Sequence, residues 1–104
     1  MNPVVILITC ANRKEARRIT LGLVGNKLAA CVNIIEKIES VFWWQGKIDQ
    51  AKEVLLVIKS KKSKLSKIIK LVRALHSYQV PEIIVLPIIG GFKPYLEWLD
   101  ESVR

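Results

Sequence analysis

The sequence predicts an α+β fold whose first six elements follow the βαββαβ order of a ferredoxin-like sandwich, with an extra helix at the C-terminus. Short apolar runs rich in β-branched residues alternate along the chain with apolar stripes of helical spacing. The stretch from Leu28 to Lys59 contains no Pro, and its one Gly, Gly46, lies near the middle. This combination predicts a long central β-hairpin flanked by two strand–helix units.

The first unit is a strand followed by a helix. Val4–Ile8 is an apolar run bounded by polar residues, as in a buried strand. Asn12 precedes Glu15 by three residues, the spacing of a capping box that starts a helix. The helix has an apolar stripe formed by Ala16, Ile19, Thr20, Leu23 and Val24. Gly25-Asn26 predicts its end.

The hairpin has two arms joined by a turn at Gln45-Gly46. Its first arm runs to Trp44 with alternating apolar residues and a slip around Ile35–Lys37 that predicts a bulge. Its second arm is Ile48–Lys59. An arm of about 14 residues reaches roughly 45 Å, whereas a domain of this size has a radius of gyration near 13 Å. The hairpin must therefore project or bend back.

The tip of this hairpin carries the apolar run Val41–Trp44. An exposed tip with three consecutive aromatic residues and an unpaired strand edge is prone to associate with other chains. Pairing with further copies of the chain would cover it. The sequence therefore predicts a homo-oligomer whose strands continue between subunits.

The second unit opens at Ser63. Its helix has an apolar stripe formed by Leu65, Ile68, Ile69, Val72 and Leu75, and it ends at His76–Tyr78. Val80–Ile88 is the predicted fourth strand, with prolines near both ends that favour an edge position. Pro94 fits the first turn of the final helix.

The ferredoxin-like order predicts the strand arrangement 4-1-3-2, with antiparallel neighbours. The end of strand 1, with Thr9, Cys10 and Asn12, should then lie beside His76 and Glu82. Because Cys31 falls at the opposite end of the sheet, a Cys10–Cys31 disulfide is implausible.

Cys10, His76 and Glu82 supply a thiol, an imidazole and a carboxylate, the donors that copper and other divalent metals take. The sequence therefore suggests a metal site there. The structural alternative is a buried Cys10, a helix-capping His76 and a salt-bridged Glu82 at a subunit contact.

Composition excludes several classes. The chain has 104 residues, of which 51% are hydrophobic, so it is not disordered. Its apolar runs are far shorter than the roughly 20 residues that span a bilayer. With two cysteines and no visible secretory signal, we expect a cytoplasmic protein. It has one histidine and no nucleotide-binding or nucleophile-elbow motif, so we expect no enzyme.

The net charge of +8 raises the possibility of nucleic-acid binding. Seven basic residues lie in the 15-residue stretch from Lys59 to Arg73, and no acidic residue occurs from Val54 to Pro81. However, the sheet lacks the aromatic motif with which RNA-binding domains of this fold stack bases. A solvated helix face is the favoured interpretation, and a nucleic-acid partner is not expected.

Several segments resemble the CutA divalent-cation tolerance family. They span nearly the whole chain and comprise Leu28–Ile35, Trp44–Ile48, Lys52–Val54, His76–Ile84, Leu86-Pro87 and Tyr95–Leu99. The resemblance implies one domain over residues 1–104, a PII-like cytoplasmic homotrimer, and tolerance of copper and other divalent metals. A trimeric small-molecule sensor like the nitrogen-regulatory PII proteins is the alternative that this likeness leaves open.

The resemblance also implies a ligand set for the metal. His76 matches a histidine proposed to bind copper in members of the family. The family's cysteine position is Ile8 here, and a second histidine of some members is Leu75. Cys10 lies on the same strand face, about 6.6 Å further along, and could substitute for that cysteine.

Overall fold

Four strands and three α-helices make up the computed structural model, which describes residues 1–104. Their order is β1 Pro3–Cys10, α1 Arg13–Gly25, β2 Cys31–Trp44, β3 Lys47–Lys61, α2 Leu65–Leu75, β4 Ile83–Pro87 and α3 Lys93–Ser102. The sheet has the order β2-β3-β1-β4, and all neighbouring strands are antiparallel. The predicted ferredoxin-like α+β fold and strand order are confirmed. No helix is long and apolar enough to cross a membrane.

The main core lies between one face of the sheet and the helices α1 and α2. Burial alternates strictly along β1, so that Ile6, Ile8 and Cys10 are buried on the helical side. Ile19 of α1 and Ile68 of α2 are fully buried against them. The core thus forms where apolar side chains at every second residue of the strands pack against the apolar faces of the helices, whose residues recur with a period of 3.6.

The third helix packs on the other face of the sheet. Ser60 faces the helical core, where its hydroxyl donates to the Leu28 carbonyl. Lys61, the next residue, points the opposite way, and its Nζ lies 3.0 Å from Asp100 Oδ1 of α3. Leu99 and Val103 are fully buried there.

The β2–β3 hairpin projects beyond the sheet. β1 pairs only with residues Val54–Lys61 of β3, so the distal half of the hairpin is a two-stranded ribbon. Gln45 and Gly46 both have positive φ, 50° and 77°, as a two-residue turn requires. The molecule is accordingly elongated, 44 × 25 × 23 Å. The predicted bulge is also confirmed, between Ile35 and Ile38, with Lys37 at φ 62°.

Two boundaries differ from expectation. β4 begins at Ile83 rather than Val80, because Tyr78–Glu82 leaves the sheet to reach the base of the hairpin and Pro81 has no N–H to donate to a ladder. A 3₁₀ turn, Lys62–Lys64, precedes α2, and Ser63 makes no capping hydrogen bond. Both cysteines are free, as expected.

Candidate functional site

Three buried side chains meet at the end of the sheet where β1 finishes. Cys10 is the last residue of β1, Glu15 lies in the first turn of α1, and His76 follows α2 directly. Their thiol, carboxylate and imidazole atoms lie within 4.8 Å of one another. The His76 side chain is fully buried and that of Glu15 nearly so. We call these three residues the buried cluster.

Both ring nitrogens of His76 are engaged by the backbone. Nε2 lies 2.7 Å from the Thr9 carbonyl oxygen, which can only accept, so Nε2 carries the proton. Nδ1 accepts from the Tyr78 N–H at 3.0 Å. The imidazole is therefore a neutral tautomer that ties the end of β1 to the α2–β4 connection.

Glu15 is held in the same way. One carboxylate oxygen accepts from the Ala11 N–H at 3.0 Å, and the other accepts from the Ser77 N–H. Burial works to raise the pKa of Glu15, but the hydrogen bonds from Ala11 and Ser77 outweigh it and hold that pKa below its usual value. Glu15 is therefore a buried carboxylate that stays ionised.

The thiol of Cys10 stays protonated at neutral pH. Burial, with added repulsion from Glu15 and Glu53, raises the pKa of Cys10 to about 12. Metal ligation needs a thiolate and a free imidazole lone pair. As folded, the buried cluster offers neither, and both oxygens of Glu15 are also taken. In the folded protein the cluster is a hydrogen-bonded link between segments, and a metal ion would have to displace the Cys10 proton and the hydrogen bonds of His76 and Glu15.

Glu82, the third predicted ligand, lies outside the buried cluster. It is exposed and lines a pocket of about 740 Å³ between the distal part of the hairpin and the Tyr78–Glu82 segment. The structure thus brings Cys10 and His76 together as predicted and places Glu15 with them, where Glu82 was expected.

The pocket combines carboxylates with aromatic walls. Asp49, Glu53 and Glu82 contribute carboxylates, while its aromatic residues are Phe42, Trp44 and Tyr78. None of its thirteen lining residues is basic, although the chain as a whole carries a net charge of +8. The pocket is therefore a locally negative, partly apolar cavity that favours a cation.

Tyr78 connects the pocket to the buried cluster. Its hydroxyl donates to Glu53 Oε2 at 2.8 Å, and its ring lies 4.8 Å from the His76 ring. Burial, together with the hydrogen bond to Glu53, raises the pKa of Tyr78, so the phenol keeps its proton. Glu53 is 7% exposed and makes no other side-chain hydrogen bond, so its second oxygen is free to meet a ligand.

One of these residues, Glu15, was missed as a site residue by sequence reasoning. Glu15 was recognised only as part of a helix start, and Asn12 Oδ1 indeed accepts from the Glu15 N–H at 2.9 Å. The carboxylate of Glu15, however, accepts hydrogen bonds from the backbone N–H groups of Ala11 and Ser77. Glu53 carried one usable signal, since it is the last acidic residue before a long stretch without any.

These features define a ferredoxin-like α+β protein with a long projecting hairpin and an acidic pocket beside it. The chain belongs to the CutA1 divalent ion tolerance protein family, which it matches over residues 4–102. That family is named for tolerance of divalent ions and not for a catalytic activity.

Solved structures agree with this assignment. CutA1 from Oryza sativa superposes with a TM-score of 0.97 at 45% identity, covering 100% of this chain and 95% of that one. The divalent cation tolerance protein of Thermus thermophilus gives a TM-score of 0.96 at 42% identity, covering 98% of this chain and 99% of that one.

Curated relatives include proteins of different lengths. The chain is 45% identical to the divalent-cation tolerance protein CutA of Archaeoglobus fulgidus, covering 95% of this chain and 96% of that protein. It is 46% identical to the chloroplastic CutA 1 of Oryza sativa over 97% of this chain but only 57% of that protein. The chain thus spans little more than half the length of that plant relative.

Proposed function

We propose that this protein acts in the cytoplasm as a homotrimer that binds divalent metal ions, copper among them, in the response to those ions. The observation that carries the proposal is the acidic pocket. Three carboxylate residues line it and none of its lining residues is basic, in a chain with 17 Lys and Arg residues and 9 Asp and Glu. Family membership supports the connection to divalent ions.

Glu82 and Glu53 are the proposed metal-binding residues. Glu82 is exposed at the pocket wall, and Glu53 has one carboxylate oxygen without a protein partner. Carboxylate oxygens suit hard divalent ions and also bind Cu(II). Cys10 and His76, the other two predicted ligands, lie on the far side of Tyr78 from the pocket. We assign them to positioning Tyr78 and not to binding the metal, because their donor atoms are protonated or hydrogen-bonded.

Isothermal titration of the protein with Cu(II) tests this assignment. The double variant Glu53→Gln, Glu82→Gln keeps the shape of the pocket and removes two charges, so we expect at least about a tenfold loss of affinity. Cys10→Ala should bind as the parent protein does. Undiminished affinity in the double variant, or loss in Cys10→Ala, would contradict the assignment.

A control separates local from general charge effects. Glu97→Gln with Glu101→Gln removes the same charge from exposed positions of α3, outside the pocket. We expect this pair to bind Cu(II) as the parent does. Sedimentation of every variant shows whether a change in affinity follows from a change in assembly.

A trimeric small-molecule sensor is the second candidate, and the size of the pocket favours it. A volume of about 740 Å³ far exceeds one ion and lies within the 300–1,000 Å³ range of small-molecule sites. Aromatic walls beside carboxylates suit an organic ammonium ion. A thermal-shift comparison of Cu(II) with a series of organic ammonium compounds distinguishes the two candidates, since each predicts which class raises Tm.

A further inference from the structure

The outer surface of the helical layer carries many basic side chains, which we call the basic layer. On α1 it comprises Arg13, Lys14, Arg17 and Arg18, and on the 3₁₀ turn and α2 it comprises Lys62, Lys64, Lys67, Lys70 and Arg73. All are exposed except Lys64, which is half-buried. The sequence showed only the second of these groups as a run. The fold adds the first, because both helices pack on the same face of the sheet.

The two helices lie close together. Leu71 Cδ2 of α2 lies 3.3 Å from the position that a Cβ on Gly22 of α1 would occupy. Because β1 and β3 are antiparallel, α1 and α2 are antiparallel as well, and Glu15 in the first turn of α1 accepts from the Ser77 N–H just beyond the end of α2. The positive charge therefore continues across the layer from one helix to the other.

No acidic side chain balances this charge. Glu15, the only acidic residue of α1, is buried, and α2 has none. Arg13 alone forms an ion pair, at 3.9 Å from Glu36. The other eight members of the basic layer have no carboxylate within ion-pair distance.

The charges are also placed where they do not help the helices. The N-terminus of a helix carries the positive end of its dipole and is stabilised by anions. Lys14 lies in the first turn of α1 and Lys67 in the first turn of α2, and neither helix has a basic residue near its end apart from Arg73. An arrangement chosen for helix stability would reverse this order, so the stability of the helices does not explain where these basic residues lie.

We propose that the basic layer binds duplex nucleic acid through its phosphates, without reading sequence. From Lys64 to Arg73 the helix rises about 14 Å, a length over which a duplex carries roughly eight phosphate charges. Neither α1 nor α2 has an aromatic residue on which bases of a single strand could stack. The exposed side of α2 offers Ser66, Ala74 and basic residues only. On α1 the exposed large apolar residues are Leu21 and Val24, far less than the wide apolar face with which a helix enters a bilayer.

Fluorescence anisotropy with a short labelled DNA duplex tests the proposal on the whole protein. The parent should bind with an affinity that falls steeply between about 50 and 200 mM salt. The triple variant Lys67→Gln, Lys70→Gln, Arg73→Gln should lose about tenfold or more in affinity, and the slope of log K against log salt should fall in magnitude by about 3. Circular dichroism confirms that this variant is folded.

A control variant loses the same charge elsewhere. Lys27→Gln, Lys93→Gln, Arg104→Gln changes exposed residues outside the basic layer and the hairpin, and it should keep the salt slope of the parent. Equal losses in both triple variants would reduce the effect to net charge and overturn the proposal. Binding to vesicles containing phosphatidylserine with none to the duplex would overturn it as well, as would no binding to either.

Discussion

Glu15 joins three parts of the chain through one buried carboxylate. It lies on α1, accepts from Ala11 in the connection after β1, and accepts from Ser77 in the connection after α2. Hydrogen bonds to a charged group contribute more than neutral ones, about 1.5–3 kcal/mol. Its removal would also leave two partly buried backbone donors, the Ala11 and Ser77 N–H groups, without this partner. The Glu15 side chain thereby fixes the connections after β1 and after α2 relative to each other, next to the pocket.

We expect Glu15→Gln to lower the free energy of unfolding by about 2–3 kcal/mol at pH 7, because the amide keeps only one acceptor. The pKa of Glu15 is lower in the folded protein than in the unfolded chain. Its contribution is therefore present above the unfolded value of about 4.3 and is lost as pH falls through the folded value. Urea unfolding of both proteins as a function of pH measures the difference, which should shrink in acid.

The matched control is Glu101→Gln, which removes an exposed carboxylate from α3. It should change stability by no more than about 0.5 kcal/mol at any pH. A difference for Glu15→Gln that is small at pH 7, or that grows in acid, would refute the linking role of Glu15.

At the scale of elements, α1 combines a well-formed start with unfavourable charge. Asn12 caps the helix, and Asn26 at the other end donates to the Gly22 carbonyl at 2.7 Å. Its basic residues, however, lie in the first half of the helix, and its last turn has none. Packing of Ile19 and Leu23 in the core outweighs this electrostatic cost, which is typically about 0.3–1 kcal/mol per charge.

Reversing one of these charges should therefore stabilise the protein. We expect Lys14→Glu, in the first turn, to raise the free energy of unfolding by about 0.3–1 kcal/mol at low salt. Lys27→Glu makes the same change in net charge just beyond the C-terminal end and should be less stable than Lys14→Glu. Thermal unfolding at low and high salt measures both. Identical stabilities, or a difference that salt does not reduce, would contradict this explanation.

At the scale of the whole molecule, the hairpin leaves a large apolar surface uncovered. Trp43 and Ile48 at its tip are 73% and 68% exposed, and Ile84 and Leu86 of the edge strand β4 are each nearly half exposed. Apolar surface of this extent together with two open sheet edges is typical of an assembly surface. It supports the proposed homotrimer, in which strands of one subunit would extend the sheet of the next.

We expect sedimentation at micromolar concentration to give a trimer. Trp43→Ala or Trp44→Ala should lower stability by about 3–5 kcal/mol where the side chain is buried against a neighbouring subunit. Val24→Ala, which trims an exposed apolar residue of α1 away from the hairpin, is the control and should have little effect. A stable monomer, or unchanged thermal stability in both tryptophan variants, would refute the proposed assembly.

The order of elements, the strand arrangement and the length of the hairpin could all be predicted from the amino-acid sequence. These follow from local information: the period of the apolar residues, the Asn12–Glu15 spacing and the Gln45-Gly46 turn. The sequence also predicted that Cys10 and His76 meet, because topology alone places the two chain segments at the same end of the sheet. Such inferences need only the course of the backbone.

Two features depend on long-range contacts that the sequence does not reveal. They are the identity of the carboxylate that joins Cys10 and His76, which is Glu15, and the chemistry that the buried cluster can perform. Glu15 and Ser77 are 62 residues apart, and their contact depends on how the connection after α2 folds over the end of α1. The same connection takes Tyr78 and Glu82 out of the sheet and forms the acidic pocket with the hairpin. Whether a Cys or His is free to bind a metal depends on its hydrogen-bond partners and its burial. Both arise from these long-range contacts, and no periodic pattern in the sequence reports them.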